Sequence, residues 1–147
     1  MKLYVFIQFD QDKINPVSLE SLQAAQEIAS KTNGTVYAIT FNSNSAKILT
    51  KYDIKEILLV EDSKLETYNP LFYIQTLEEI VKSESPDSIV IGHTYETRDW
   101  VPRLSARLNI PFISDCIGTK INDDFLLTRS VYQGKFNVDM KVYDNPF

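Results

Sequence analysis

Cysteine, histidine and glycine are scarce in this sequence of 147 residues, and their scarcity excludes several kinds of functional site. Cys116 is the only cysteine and His93 the only histidine, so we expect neither an internal disulfide nor a zinc site built from these residues. The four glycines follow neither the G-x-G-x-x-G spacing of dinucleotide-binding turns nor the spacing of a P-loop. We therefore expect no glycine-rich phosphate cradle and do not predict a nucleoside triphosphatase.

Basic residues and long apolar runs are also in short supply. The 15 Lys and Arg are outnumbered by 20 Asp and Glu, giving a net charge of −5, and they are scattered along the chain. No basic surface for nucleic acid or for an anionic membrane is therefore expected. No apolar run approaches the roughly 20 residues that cross a bilayer, and the opening MKLYVFIQFD resembles a first strand rather than a signal peptide. We expect a cytoplasmic protein with no nucleic-acid or membrane partner.

Apolar strand segments alternate with amphipathic helical segments through most of the chain. The predicted strands are LYVFIQF, TVYAITF, EILLVE and DSIVIG, and the predicted helices begin after Asn15, at Ser45, at Pro70 and at Asp99. Strands and helices that alternate through short connections form parallel sheets, because each parallel pair needs a right-handed crossover. The sequence predicts the α/β class, as a three-layer doubly wound, mostly parallel sheet with helices on both faces.

The C-terminal third of the chain departs from this alternation. FLLTRSVY and KFNVDMKVY are separated by Gln133 and Gly134, which predicts two antiparallel strands joined by a tight turn. We expect this hairpin to add an edge or flap to the parallel sheet. Near the other end of the chain, Asn15 and Pro16 predict the start of the first helix, and Gly34 predicts its C-terminal stop.

The loop from Gly92 to Thr97 is the candidate ligand site, because ligands of open α/β sheets bind outside the carboxyl ends of the strands. Within and beside it, His93, Thr94 and Arg98 are weak candidates for contact with a cofactor. Proline is comfortable only in the first turn of a helix, so Pro102 favours Asp99 over Thr97 as the N-cap. A capping carboxylate would occupy the amide groups that a phosphate needs. On this reasoning no tight AMP site is expected.

The helix that follows this loop carries two stripes of side chains. Val101, Leu104 and Leu108 are predicted to face the core. The other stripe is Trp100, Arg103 and Arg107, at helical spacing. Trp and Arg are common anchors of protein interfaces, so this stripe is a candidate contact surface.

Several segments in order resemble the N-terminal domain of the alpha subunit of electron transfer flavoproteins. The family's motifs are an Asn-Pro helix opening, a Gly-Arg-Asp-x-x-Pro-Arg-Leu-Ala loop and helix, a Ser-Asp strand end and an Arg-Pro-x-Tyr-x-Gly-Lys hairpin. The matching residues are Asn15, Pro16, Arg98, Asp99, Pro102, Arg103, Leu104, Ser114, Asp115, Arg129, Tyr132, Gly134 and Lys135. Among the departures from the motifs, Thr97 replaces a glycine and Ser130 replaces a proline.

The resemblance implies a heterodimeric electron carrier that takes electrons from flavin dehydrogenases and passes them on through FAD. In the family the FAD lies mainly on a C-terminal domain of the alpha subunit, and AMP lies in the beta subunit. We expect residues 1–147 to form a single N-terminal domain without the flavin domain, with no cofactor and no catalytic or metal site of its own. The expected partners are the beta subunit, the flavin domain of the same subunit and, indirectly, dehydrogenases. The predicted contact residues are Arg98, Asp99, Trp100, Arg103, Arg107, Tyr132, Gln133 and Lys135.

Two alternatives remain at this point. The chain could be a stand-alone nucleotide-binding domain of the stress-protein type, with an adenine nucleotide in the loop from Gly92 to Thr97. A small hydrolase using His93 and Asp115 is also open on composition, but no G-x-S-x-G elbow supplies its nucleophile.

Overall fold

The computed structural model describes residues 1–121 and 125–143 of the chain. Its strands are β1 (Lys2–Phe6), β2 (Phe9–Asp10), β3 (Lys13–Ile14), β4 (Thr35–Thr40), β5 (Glu56–Leu59), β6 (Ser88–Ile91), β7 (Cys116–Ile121), β8 (Phe125–Val131) and β9 (Phe136–Lys141). Its helices are α1 (Pro16–Thr32), α2 (Ser43–Leu49), a 3-10 helix (Ser63–Leu65), α3 (Pro70–Glu84) and α4 (Tyr95–Leu108). None of these helices is long and apolar enough to span a membrane.

A four-stranded parallel sheet forms the centre of the molecule, in the order β5-β4-β1-β6. Successive side chains of a strand point to opposite faces, so β1 supplies two cores. Leu3 and Val5 pack with the buried face of α1, and Tyr4 and Phe6 pack with α3 and α4. Helices therefore cover both faces of the sheet, which confirms the predicted α/β fold.

The first helix confirms one predicted boundary and corrects the other. Asn15 is the N-cap, and its side chain accepts a hydrogen bond from the Val17 amide at 2.9 Å. α1 ends at Thr32, and its C-cap is Asn33, which adopts the left-handed conformation at φ 51°. The predicted stop was Gly34, one residue later. Gly34 is needed for a different reason, because a Cβ there would lie 2.8 Å from the Met1 carbonyl oxygen.

The start of α4 differs from the prediction by five residues. Its N-cap is Thr94 and not Asp99, and Pro102 lies inside the helix. Because Pro102 has no N–H, the carbonyl of Arg98 loses its helical hydrogen bond, which ordinarily costs about 3 kcal/mol. Both residues lie on the exposed side of α4, where water can reach that carbonyl. The capping box of Thr94 and the burial of Trp100 offset this cost.

The C-terminal strands form a sheet of their own. β8 and β9 are antiparallel and joined by a four-residue turn, which confirms the predicted hairpin. Of the two predicted arrangements, an edge or a flap of the parallel sheet, the structure does not show the edge. The hairpin forms a separate three-stranded sheet with β7. The family resemblance placed Ser114 and Asp115 at the end of a strand. Residues 111–114 are not in a strand, and Asp115 adopts φ 58° just before β7, so these two residues precede a strand instead.

Trp100 is the clearest test of how α4 packs. Its side chain is 0% exposed and meets Phe6 edge to face at 5.2 Å between ring centroids. Trp100→Ala should lower the free energy of unfolding by about 3 to 5 kcal/mol, since a large buried ring is replaced by a cavity. Urea denaturation of the chain measures this. Tyr95→Ala on the same helix, at a side chain 91% exposed, should change stability by less than about 0.5 kcal/mol. Equal losses for the two variants would contradict the packing.

Candidate functional site

The carboxyl ends of β1 and β6 mark the place where this fold class receives ligands. The two strands are neighbours, yet the chain passes from β1 to α1 on one face of the sheet and from β6 to α4 on the other. A crevice opens between strands where such connections diverge, outside their carboxyl ends. The residues directly after the two strands therefore decide whether a ligand can enter.

Side chains of the protein bridge this crevice. Thr94, after β6, donates its hydroxyl to Oε1 of Gln8, after β1, at 2.8 Å. Nε2 of Gln8 donates to Oδ1 of Asp10 at 2.7 Å, and Asn15 Nδ2 donates to the other oxygen of Asp10 at 2.6 Å. This chain of hydrogen bonds links the start of α4 to the start of α1. We call Gln8, Asp10, Asn15 and Thr94 the crevice bridge.

The N-terminus of α4 is also occupied by its own residues. The Thr97 amide donates to Thr94 Oγ1 at 3.2 Å, and the Thr94 amide donates to Thr97 Oγ1 at 2.8 Å, which forms a capping box. Thr97 Oγ1 lies 2.6 Å from the Gly92 carbonyl oxygen, to which it also donates. The loop was expected to be filled by its own side chains, with Asp99 as the occupant. That choice of residue is wrong, because Thr94 and Thr97 hold the position.

The N-terminus of α1 closes the crevice from the other face. A Cβ built on Gly92 would lie 3.2 Å from both the carbonyl carbon and Cγ1 of Val17. The Gln8 amide donates to Ser18 Oγ at 3.0 Å, so the end of β1 is bound to the same turn of α1. The close approach of helix and strand leaves little room for a ligand between them.

The weak cofactor candidates do not converge on one point. Thr94 is in the crevice bridge, whereas His93 and Arg98 are exposed. The Arg98 guanidinium lies over the ring of Tyr95, at 5.8 Å from the centroid, and His93 forms no hydrogen bond with any residue that the structure describes. A histidine with a purely structural role at a strand end would bond to the backbone, and His93 has no such bond among the described residues. Asp115 belongs to the segment before β7, and the proposed His93 and Asp115 pair has no support from the geometry.

The stripe of Trp100, Arg103 and Arg107 is not one exposed surface. Trp100 is fully buried, so its prediction as an exposed anchor is wrong. Arg103 forms an ion pair with Asp99 at 2.9 Å within α4, and Arg107 forms one with Glu78 of α3 at 2.6 Å. Asp99 in turn accepts a hydrogen bond from the Tyr68 hydroxyl at 2.8 Å. Asp99 and Arg107 therefore hold α4 against neighbouring segments, and their role in contacts with a partner stays a prediction.

Glu96, in the first turn of α4, is the one strongly perturbed carboxyl beside the crevice. One of its oxygens is buried and has no hydrogen-bond partner among the described residues. Burial and, to a smaller extent, the nearby charge of Asp10 together raise the pKa of Glu96 to about 7. The same two carboxylates contribute to the raised pKa of Tyr73, about 12, whose main cause is burial. Negative charge at this edge opposes the binding of a phosphate.

Sequence reasoning missed Gln8, Asp10 and Glu96, although one signal was available. Gln8 is the first polar residue after the apolar run of β1, which is where the carboxyl end of a central strand is expected. Glu96 carried no such signal, because its burial depends on the long-range packing of α4. In residues 1–121 and 125–143, no group of three or more His, Cys, Asp or Glu is arranged to hold a metal ion.

The comparison with known families gives one match, which covers nearly the whole chain. The model of the electron transfer flavoprotein domain matches residues 4–147.

Individual relatives carry related names. The electron transfer flavoprotein subunit alpha of Bacillus subtilis is 31% identical over 138 residues, which are 91% of this chain and 42% of that protein. The protein FixB of Clostridium saccharobutylicum is 28% identical over 90% of this chain and 41% of its own length. The lactate dehydrogenase (NAD(+),ferredoxin) subunit LctC of Acetobacterium woodii is 27% identical over 88% of this chain and 32% of its length. The chain thus spans less than half the length of these relatives.

The raised pKa of Glu96 predicts how stability depends on pH. Between its ordinary value of 4.5 and about 7, the folded chain binds a proton at Glu96 that the unfolded chain has released, so the free energy of unfolding falls as pH rises. Glu96→Gln should remove this fall. The variant should be more stable than the parent by about 1 kcal/mol near pH 8 and nearly equal to it near pH 4. Urea denaturation at both pH values measures the difference, with exposed Glu66→Gln as the control. A Glu96→Gln variant that gains nothing near pH 8 would contradict the prediction.

Proposed function

The chain belongs to the electron transfer flavoprotein domain family, in which it corresponds to the N-terminal domain of an alpha subunit, and from this premise we propose that it is the scaffold and interaction domain of a FAD-dependent electron carrier. The carrier takes electrons from flavin dehydrogenases and passes them to a further acceptor. The domain itself carries out no chemical step. Its task is to hold the beta subunit and the flavin domain in register.

The observation that carries this proposal is the crevice bridge. In an α/β sheet of this topology the crevice between β1 and β6 is the expected ligand site, and here the Gln8 and Thr94 side chains bond across it at 2.8 Å. The capping box uses the amides at the start of α4. Asp10 places negative charge near them, and Glu96 adds to this charge when the pH rises above about 7. These features do not fit the pyrophosphate of FAD. We therefore assign the flavin to other parts of the carrier and route no electron-transfer step through these residues.

The names of the relatives support a role in electron transfer and suggest its setting. Several are electron transfer flavoprotein alpha subunits, and LctC is named as a subunit of a lactate dehydrogenase that uses NAD+ and ferredoxin. We propose that this chain likewise works within a larger complex that includes a beta subunit. In this proposal, the partner subunits and not this domain determine which dehydrogenase the complex serves.

Two parts of the surface are proposed as contacts within the complex. On α4, Arg103 is exposed, and within the described ranges its ion pair is with Asp99 of the same helix, so its guanidinium can bind a further acceptor. At the hairpin, Tyr132 is 78% exposed and Lys135 lies in the same turn. Exposed aromatic and basic side chains are typical of interface anchors. Trp100, which is buried, has no part in this surface.

The stand-alone nucleotide-binding domain is the alternative to this proposal, and no feature of the crevice favours it. An adenine nucleotide would have to break the hydrogen bond between Gln8 and Thr94 and place its phosphate beside Glu96. Both steps cost free energy, because a buried polar group left without a partner is destabilising. Asp99 is not at the helix N-terminus, so its charge is not the reason for weak nucleotide binding.

We expect the purified chain to be colourless and to bind FAD weakly or not at all, since side chains of the protein bridge the crevice where a ligand is expected. The test is to add FAD, pass the sample through gel filtration and record the flavin absorbance of the protein peak. The heterodimer of a full-length alpha subunit with its beta subunit serves as the positive control. A flavin spectrum that stays with this chain at one FAD per molecule would contradict the proposal.

We also expect no AMP binding with a Kd below about 1 mM, because the crevice is bridged and negatively charged. Isothermal titration calorimetry of the chain with AMP measures this, with the beta subunit as the control that the family resemblance predicts to bind. A micromolar Kd for the chain would favour the stand-alone nucleotide-binding domain instead.

A further inference from the structure

The three-stranded sheet of β7, β8 and β9 has two faces of different chemistry. Residues that pair directly across antiparallel strands share a face, so the register assigns each side chain. Three pairs lie on one side: Leu127 with Met140, Arg129 with Val138, and Val131 with Phe136. We call these six residues the apolar sheet face. The pairs between them, Thr128 with Asp139 and Ser130 with Asn137, lie on the opposite, polar face.

The apolar sheet face continues the hydrophobic core, but among the described residues its β9 half is exposed, whereas its β8 half is half-buried. Ile121 and Phe125, which pair at one end of this side of the sheet, pack against the core that α1 covers. Farther along β9, Phe136 is 63% exposed, Val138 43% and Met140 36%. A row of large apolar side chains on one side of a strand is an unfavourable surface to leave in water and marks an interaction site.

Arg129 adds a charge to the middle of this face, and no carboxylate of residues 1–121 and 125–143 forms an ion pair with it. Its Nε is buried and has no hydrogen-bond partner among the same residues. The nearby carboxylate of Asp139 lies on the polar face, where it binds Lys120 and Thr128, each at 2.6 Å. A guanidinium bonds most strongly to a carboxylate through paired N–H groups. In the part of the chain that the structure describes, Arg129 therefore has no acidic acceptor.

We propose that the apolar sheet face is the docking surface of a partner protein whose own apolar surface carries a carboxylate opposite Arg129. This inference rests on the proposed function, which identifies the partner as the beta subunit of the carrier. The apolar side chains of β9 supply the buried contact, and Arg129 supplies the orientation, because an ion pair within an apolar contact fixes the register of the two surfaces.

A second copy of this chain is a poor occupant of the same surface. The described residues of the apolar sheet face include no Asp or Glu, so two such faces in contact would bring two arginines together without a carboxylate. Like charges that meet in a contact are strongly unfavourable. The chemistry of the face therefore favours a different, acidic partner over self-association.

Neighbouring residues of β9 provide a matched pair of variants. Val138 and Asn137 are adjacent and exposed, but they point to opposite faces of the sheet. Val138→Asp should weaken binding to the beta subunit of the same organism by at least about thirtyfold, because its carboxylate stands opposite Arg129, where it takes the place of the partner's carboxylate and adds a charge to the apolar contact. Asn137→Asp adds the same charge on the polar face and should change the Kd by less than about threefold. Calorimetry with the purified beta subunit measures both values.

Arg129→Leu tests the charge separately. It also keeps the proposal testable if Val138→Asp does not fold. The free chain should lose no stability, since a half-buried guanidinium without a carboxylate partner among the described residues is removed, whereas binding should weaken by at least about thirtyfold. A purely structural role for Arg129 would instead lower the thermal midpoint of the free chain.

The possible outcomes separate the two proposals. If the parent chain does not bind the beta subunit, the proposed function is wrong, and this partner with it. If it binds and the affinities of Val138→Asp and Arg129→Leu are unchanged, only the location of the interface is wrong. A chain that is dimeric in light scattering, and that Val138→Asp alone makes monomeric, would show that the face pairs with itself and would overturn the assignment of an acidic partner.

Discussion

A hydrogen bond between two side chains, from Thr94 Oγ1 to Gln8 Oε1, spans the place in this sheet where a ligand would enter. Both residues follow directly after parallel strands, so the bond joins the two halves of the sheet at the point where their connections diverge. Asp10 and Asn15 extend it to the first turn of α1. Closing the crevice in this way satisfies its polar groups internally, and a ligand that displaced them would have to replace every one of these bonds.

Because the expected site is bridged by the protein's own side chains, the proposed interaction role directs attention to the surface of the domain. The most unusual part of that surface is the small sheet at the C-terminal end of the chain. Its strands have one apolar and one polar side, yet only one end of the apolar side is covered by α1. A protein rarely keeps such a face in water unless something else covers it. The filled crevice and the open sheet face therefore support the same interpretation, a domain that binds other protein segments instead of a small molecule.

Local sequence signals predicted most of the fold but could not place every side chain of the site. Asn15 before Pro16 predicted the start of α1, because capping depends on residues close in sequence. The same reasoning failed at α4, where Pro102 favoured a cap at Asp99. A proline can lie within a helix if the carbonyl it leaves unpaired reaches water, and that depends on which side of α4 is exposed. Exposure is a property of the tertiary structure, so the sequence of the helix alone did not decide it.

Trp100 shows why helical spacing is ambiguous at the edge of an apolar stripe. It stands three and seven residues before Arg103 and Arg107, but also four and eight residues before Leu104 and Leu108. Both spacings describe one side of a helix. The tertiary structure distinguishes the two sides, because Trp100 makes edge-to-face contacts with the rings of Phe6 and Tyr73. Both rings are far from Trp100 in sequence, so the sequence of α4 does not predict these contacts. A tryptophan beside arginines is thus evidence for an interface only when its ring is not buried in the core of the same domain. Here the ring of Trp100 is fully buried.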